Sequence, residues 1–389
     1  MNVCACRVML CLACLLAGAC QTARKARALD NVTVESLLLK PQGFFILSRE
    51  KINLPDLRSL GVPASACEAL ARKEALSEQR SKVQEGLGAT QRDIDPKDAG
   101  VTAETLEELE QAARKAAIGA CEEHLRVSRG DPETTPAVLL HLAELYYQQE
   151  WDEHCLALHA YEEQAANGIA PQPSEPRFAP RKALGLLRSL LRQFPTWSMN
   201  DAALYLSGLC LERLGEPELS RDAFQQLVEG WPNSAYALEG WLRLGEYWFD
   251  MPNEPKALEK AAEAYGRLIA HPDHRYYDKA LYKLGWTWYR LDAFEKLVDV
   301  FTRLVDFVDR GSRMEDSNLR DEALQYMALS FADERWGSIE KAELHLAGIG
   351  PRPWAQELWN RIARVHSDLA RPDLAAQAKA RAEAMVPSH

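Results

Sequence analysis

The sequence predicts an all-α solenoid of stacked helix–turn–helix units, and three observations carry that reading. In residues 276–306 two runs show apolar residues at helical spacing: Leu281, Leu284 and Trp288, then Leu297, Phe301 and Leu304. A short turn, Leu291-Asp292-Ala293, separates them. Inside the first run stands Gly285, and a helix-interior glycine costs about 1 kcal/mol relative to alanine. A second helix crossing closely at that point supplies the packing reason. Finally, a lone hairpin cannot bury its own apolar face, so copies of it must stack.

The copies align on a small residue of the first helix: Gly208, Gly245, Gly285, Ala328 and Ala363, at separations of 37, 40, 43 and 35 residues. Large apolar residues flank each position. They are Leu204 and Leu211, then Trp241, Leu244 and Trp248, then the run around Gly285. Leu324, Met327 and Phe331 follow, and then Trp359 and Ile362. Second helices carry Phe224 and Leu227, then Ala261, Tyr265 and Leu268, then Leu297, Phe301 and Leu304, and last Ala375 and Ala382. Pro232, Pro272 and Pro387 close units, with Pro351 after a looser fifth one.

This grammar resembles the tetratricopeptide repeat, a helix–turn–helix unit of about 34 residues. The resemblance covers about residues 136–389. Leu219-Ser220 and Leu297 depart from the small alanine usual in the second helix, and residues 251–259 lengthen the third turn. The resemblance implies a right-handed α-solenoid whose first helices line a concave groove. It also implies a non-enzymatic scaffold that holds a protein or peptide partner there.

The chain opens on one early charge, Arg7, followed by a run over residues 8–19 of uncharged, mostly apolar residues. That run is too short to span a bilayer as a helix and has the layout of a secretory signal peptide. Two cleavage readings compete. Ala17-Gly18-Ala19 fits an A-x-A site. Leu16-Ala17-Gly18-Ala19-Cys20 looks like a bacterial lipobox with its leucine one place too far out, which makes Cys20 the acylated residue. Lipidation is preferred, since a cysteine directly after this run has no other evident use. Gln21, where Asp would retain the protein at the inner membrane in the enterobacterial pattern, then points to the outer membrane. The alternative is a soluble periplasmic protein cut after Ala19.

The organisation expected is a leader (1–19), a lipidated N-terminus and tether (20–63), and N-terminal helices capping the array (64–135). A split first repeat with a Pro-rich insertion (136–195) and the main repeats (196–389) follow. In the capping region Thr105 and Glu108 form a capping box, with Thr102 as an alternative start one turn earlier. The acidic run 104–110 reads as a solvated helix face. The insertion, with Pro171, Pro173, Pro176 and Pro180, reads as an inserted surface segment.

A formal charge of −11 argues against a protein that tracks nucleic-acid phosphates, which needs a basic stripe. Of nine cysteines five lie in the first twenty residues, and Cys67, Cys121, Cys155 and Cys210 are scattered without paired spacing. No nucleophile elbow, phosphate loop or zinc-protease motif occurs. The best metal candidate pairs Cys155 with His159, four apart on one helix. A structural zinc takes about four ligands and no second pair completes the set, so neither metal nor cofactor is expected. An enzyme or metalloprotein with an unrecognised site there is the remote alternative.

Recognition remains. On the first helix of the fourth unit Tyr282, Trp286, Tyr289 and Arg290 fall at i, i+4, i+7 and i+8, one stripe off the core grammar. Leu242, Glu246 and Phe249 match them one unit earlier, and Tyr205 two units earlier. Aromatic residues beside an arginine are the mix enriched at binding hot spots. The competing reading buries these rings against the superhelix, the N-terminal segment or a second chain. With the lipid anchor, the resemblance suggests an adaptor in cell-envelope assembly or a surface machine.

Overall fold

The computed structural model describes residues 103–128, 130–167, 174–251, 254–311 and 317–385. Readings placed on residues 1–102, Cys20 and Cys67 among them, lie outside the described residues, as do Pro171, Pro173 and Pro387. All regular elements among the described residues are α-helices. They are α1 (Ala103–Ser128), α2 (Thr135–Ala166), α3 (Arg181–Gln193), α4 (Asn200–Arg213), α5 (Pro217–Gly230), α6 (Ala237–Phe249) and α7 (Ala257–Leu268). Then come α8 (Tyr277–Arg290), α9 (Phe294–Asp309), α10 (Ser317–Phe331), α11 (Ile339–Ile349), α12 (Ala355–Asp368) and α13 (Pro372–Ala384). The chain divides into two compact units, up to Leu145 and from Tyr146 onward.

In the first unit α1 buries Ala113, Ala117, Cys121 and His124, a seam at helical spacing. The helix already runs at Ala103, as the alternative start one turn before Thr105 has it. One sequence expectation is corrected here: the acidic run is not wholly solvated. Glu110 is buried and forms a 3.1 Å ion pair with Arg114 one turn on, also buried. A carboxylate leaves water only with a partner, and the i,i+4 arginine supplies one. The chain then reverses at Gly130 (φ 84°), and Asp131 accepts hydrogen bonds from the Glu133 amide and the Thr134 hydroxyl before α2 starts.

The second unit is an all-α solenoid. Each of the first helices α4, α6, α8 and α12 packs on the second helix that follows it, and α5, α7 and α9 each pack on the next first helix. The fifth hairpin departs from this: α10 packs mainly on α9 and α12. The shorter α11 is joined through side chains, His345 Nε2 lying 2.9 Å from the Thr302 hydroxyl of α9. That is the looser unit read from the sequence.

Helix crossing explains the aligned glycines. A Cβ on Gly208 would lie 2.6 Å from the Phe224 ring, one on Gly245 2.4 Å from the Tyr265 ring, and one on Gly285 2.0 Å from the Phe301 ring. In each hairpin the aromatic of the second helix occupies the place where a side chain would stand. Ser220 takes the small position of α5. Its buried hydroxyl donates to the Gly208 carbonyl at 3.0 Å, so the departure from alanine is a satisfied polar contact. Repeats are joined by similar turns. Ser234 N donates to Trp231 O and His274 N to His271 O, and Ser234 Oγ and His274 Nδ1 then accept from the amides of Tyr236 and Tyr276.

The Pro-rich insertion is anchored where it is described. Phe178 is buried, edge-on to Tyr147 at 5.2 Å and to Trp151 at 5.0 Å, both on α2. Glu150 accepts from the Lys182 and Ala183 amides at 2.9 and 3.4 Å. It thereby caps α3, whose own N-cap, Pro180, offers no side-chain bond.

Candidate partner-binding face

The structure divides the aromatic stripe. Tyr205 is fully buried, stacked on Tyr236 at 4.9 Å and edge-on to Phe224 at 6.3 Å. Leu242, Tyr282 and Trp286 are buried as well. The Tyr282 ring faces Phe301 at 6.4 Å, and its hydroxyl donates to Glu322 of α10. Trp286 meets Tyr326 of α10 at 4.3 Å. Glu246, Phe249 and Tyr289 are half-buried and Arg290 is exposed. Placing all eight residues off the core is therefore corrected. A stacked first helix has neighbours on more than one side, and α8 buries every residue from Ala280 through Thr287.

Conversely, the tryptophans aligned with the core grammar are only partly covered. Trp241, Trp248 and Trp288 are half-buried, and a cation from the following second helix lies over each. Lys260 Nζ is 3.8 Å from the Trp248 centroid, Lys296 Nζ 4.2 Å from that of Trp288, and the Arg267 guanidinium 5.6 Å from that of Trp241. Such contacts contribute about 0.5–1 kcal/mol at accessible sites and shield ring faces that packing leaves open.

Polar bonds join successive first helices. Arg290 Nη1 donates to Phe249 O at 2.6 Å while its guanidinium lies 4.4 Å over the Phe249 ring. Farther along, Arg320 pairs with Glu357 at 2.9 Å and Arg361 with Asp321 at 3.2 Å. Another cluster surrounds Arg243, within 3.3 Å of Glu239, 3.3 Å of Glu246 and 3.8 Å of Glu212. Glu239 is buried and also 3.4 Å from Arg275. Loss of water pushes the Glu212 carboxyl above the usual range; Arg243 pulls it down, and Glu246 pushes it up again. With 32% of its side chain still accessible, solvent moderates the first effect. Burial first, and then the Glu239 charge, raise the Tyr205 hydroxyl. Sequence reasoning picked out Glu246 but missed Arg243, Glu239 and Glu212. The signal available was opposite charges recurring at about one repeat's separation.

Residues 202–234, which take in all of the α4–α5 hairpin but Asn200 and Asp201 and include Phe224 seated on Gly208, match the family model of the tetratricopeptide repeat. This hairpin is a tetratricopeptide repeat. No curated protein matches the chain in sequence. Among solved structures the chain is similar to a tetratricopeptide repeat protein from Parabacteroides merdae. The identity is 12% and the TM-score 0.39, over 81% of this chain and 94% of that one. It is also similar to a signal-transduction ATPase with numerous domains from Pyrococcus horikoshii, which carries a tetratricopeptide repeat sensor. Here the identity is 14% and the TM-score 0.40, over 88% of this chain and 52% of that one. At such scores the architecture rests on the chain's own tetratricopeptide-like helix contacts.

On α2, Cys155 and His159 are exposed, and His159 lies 3.8 Å from Glu163. Among the described residues no three His, Cys, Asp or Glu side chains are grouped to hold a metal ion. Nor is any helix among them long and apolar enough to cross a membrane. Cys121 and Cys210 are buried, and burial pushes the Cys210 thiol up, away from the reactive thiolate.

Proposed function

We propose that this chain is a non-enzymatic scaffold that captures a protein partner on the first-helix face of its repeats. One observation carries the reading. Glu246, Phe249, Tyr289 and Arg290 remain accessible on α6 and α8, and Arg290 is already fixed by its bond to Phe249 O. An aromatic ring beside a held guanidinium provides contact area at low entropic cost, which is the character of binding hot spots. The buried Trp286 lies edge-on to the Tyr289 ring of this strip at 5.8 Å.

The finer reading is an exported lipoprotein, acylated at Cys20 and held at the periplasmic face of the outer membrane, serving envelope assembly or a surface machine. Its support is the sequence of the first twenty residues. Tethering raises the effective concentration of a partner near the membrane, so a modest surface suffices. The alternative is the soluble periplasmic form cut after Ala19. Labelled palmitate should enter the wild-type protein and not Cys20→Ala, and only the wild type should float with membranes. Equal membrane association of the two would leave the soluble form.

Site-specific photo-cross-linking in the native host tests the scaffold. A benzophenone amino acid at position 246 or 290 should give a discrete protein adduct, and the same group at Glu229 or Glu263 on second helices should not. Equal adducts from both faces, or none, would set the reading aside.

A further inference from the structure

Among the described helices the last hairpin is α12 and α13, and α12 packs against α10 as well as α13. The two ends of α12 are held differently. Before it, Trp354 Nε1 donates to Asp306 of α9 at 2.9 Å, and Arg352 pairs with the same carboxylate. After it, the turn into α13 is tied back by Arg371. Its Nη1 donates to Ala332 O at 2.9 Å and its Nη2 to Glu334, both just beyond the end of α10. In a repeat array one hairpin can open while its neighbours stay folded.

His366 stands in the last turn of α12, directly before that turn. Only 2% of the residue is accessible, and neither ring nitrogen has a hydrogen-bond partner. The surrounding charges offer an imidazolium no counter-ion. On α12 itself Arg364 and Asp368 are exposed, as are Asp373 and Lys379 on α13. On α10, Arg320 and Asp321 pair with Glu357 and Arg361 in the first half of α12, and Glu322 takes the Tyr282 hydroxyl. Beyond α10, Asp333 accepts from the Arg335 and Trp336 amides, while Glu334 is occupied by Arg371. Among the described residues the charge that acts on the ring is Arg371, a cation like the protonated ring. The α12 dipole favours a cation in its last turn, but by less than the cost of shutting an unpaired ion away from water.

We propose that His366 and Arg371 form an acid-sensitive latch. Protonation of the buried ring sets it against the guanidinium that ties the turn back, and α13 opens with the last turn of α12 while the inner repeats stay folded. In the open form the ring regains water and binds its proton with ordinary affinity, so acid favours opening. The latch goes beyond the scaffold reading and does not depend on it.

Hydrogen exchange on the full-length protein tests this, read as protection factors at about pH 7.5 and about pH 5.5. With a pKa of about 6.5 in the open form, one histidine shifts the opening equilibrium by at most about tenfold over that interval. Wild-type protection in α13 and the last turn of α12 should fall several-fold towards that limit, while α6 and α7 keep theirs. His366→Phe and His366→Gln take up no proton and should each abolish the response; either one, if folded, suffices. His345→Gln, which removes the histidine of α11, should preserve it. An equal fall across α4 through α13 would overturn the proposal, as would no fall in α13, and both are read on the wild type alone. A response that survives in a folded His366 variant, or disappears in His345→Gln, would overturn it too.

Discussion

Gly285 is where an added methyl group meets the hardest resistance, because its Cβ would fall 2.0 Å from the Phe301 ring inside a closed hairpin. Gly285→Ala should destabilise the protein by about 1–3 kcal/mol through overpacking. Gly266→Ala, in a helix with nothing within 4 Å of the new atom, should stabilise by about 0.4–1 kcal/mol. Thermal midpoints that move in opposite directions check both. His366 supplies a pH prediction at the same scale. Burial, then Arg371, hold its pKa below 6.5, and burial does the same for His345 against the pull of Asp299. The folded state therefore favours the neutral rings. That stability is present above pH 6.5 and is lost as pH falls through the lower folded values. The thermal midpoint of the wild type should drop on acidification to about pH 5, and by less in His366→Gln. The raised Glu212 works in the opposite sense, so the difference between variant and wild type is the informative quantity.

At the scale of the element, α8 shows how far a helix can be read alone. The interior glycine, the apolar spacing and the turn at Leu291-Asp292-Ala293 are all legible, because each is a local matter of periodicity and backbone freedom. Asp292 there takes positive φ (53°), as a tight turn asks. Which face of α8 stays open is not local. Trp286 looks like a surface residue until Tyr326, forty positions later in the chain, closes over it at 4.3 Å. Trp286→Ala should cost about 3–5 kcal/mol, as for a core residue, and be seen as a large fall in thermal midpoint. An unchanged midpoint would return Tyr282 and Trp286 to the surface stripe. The capping of α3 by Glu150 was equally hidden, since the carboxylate lies 32 residues before the amide it serves.

Across the second unit, most of the contacts that join one hairpin to the next reach about one repeat along the chain. Arg290 to Phe249, Arg303 to Ile269 and Arg381 to Glu343 are examples. Stability in such an array is a sum of repeat and nearest-neighbour contributions rather than one global core. Removing residues 350–389, which deletes α12 and α13, should leave α4 through α9 protected in hydrogen exchange while α10 and α11 lose protection. Uniform loss across all of these helices would show that the array folds as a single cooperative unit instead.

The sequence by itself determined the helical class, the turn at Leu291-Asp292-Ala293, the repeat spacing and the glycines at the crossings. Those follow from apolar period, proline placement and the cost of glycine, all of which act within a few residues. Only the tertiary structure decided that Tyr205, Tyr282 and Trp286 are buried, that Glu110 leaves solvent, and that Arg243 is shared by three carboxylates. Burial and charge compensation depend on which side chains arrive from the neighbouring repeat, and no spacing within one helix records that.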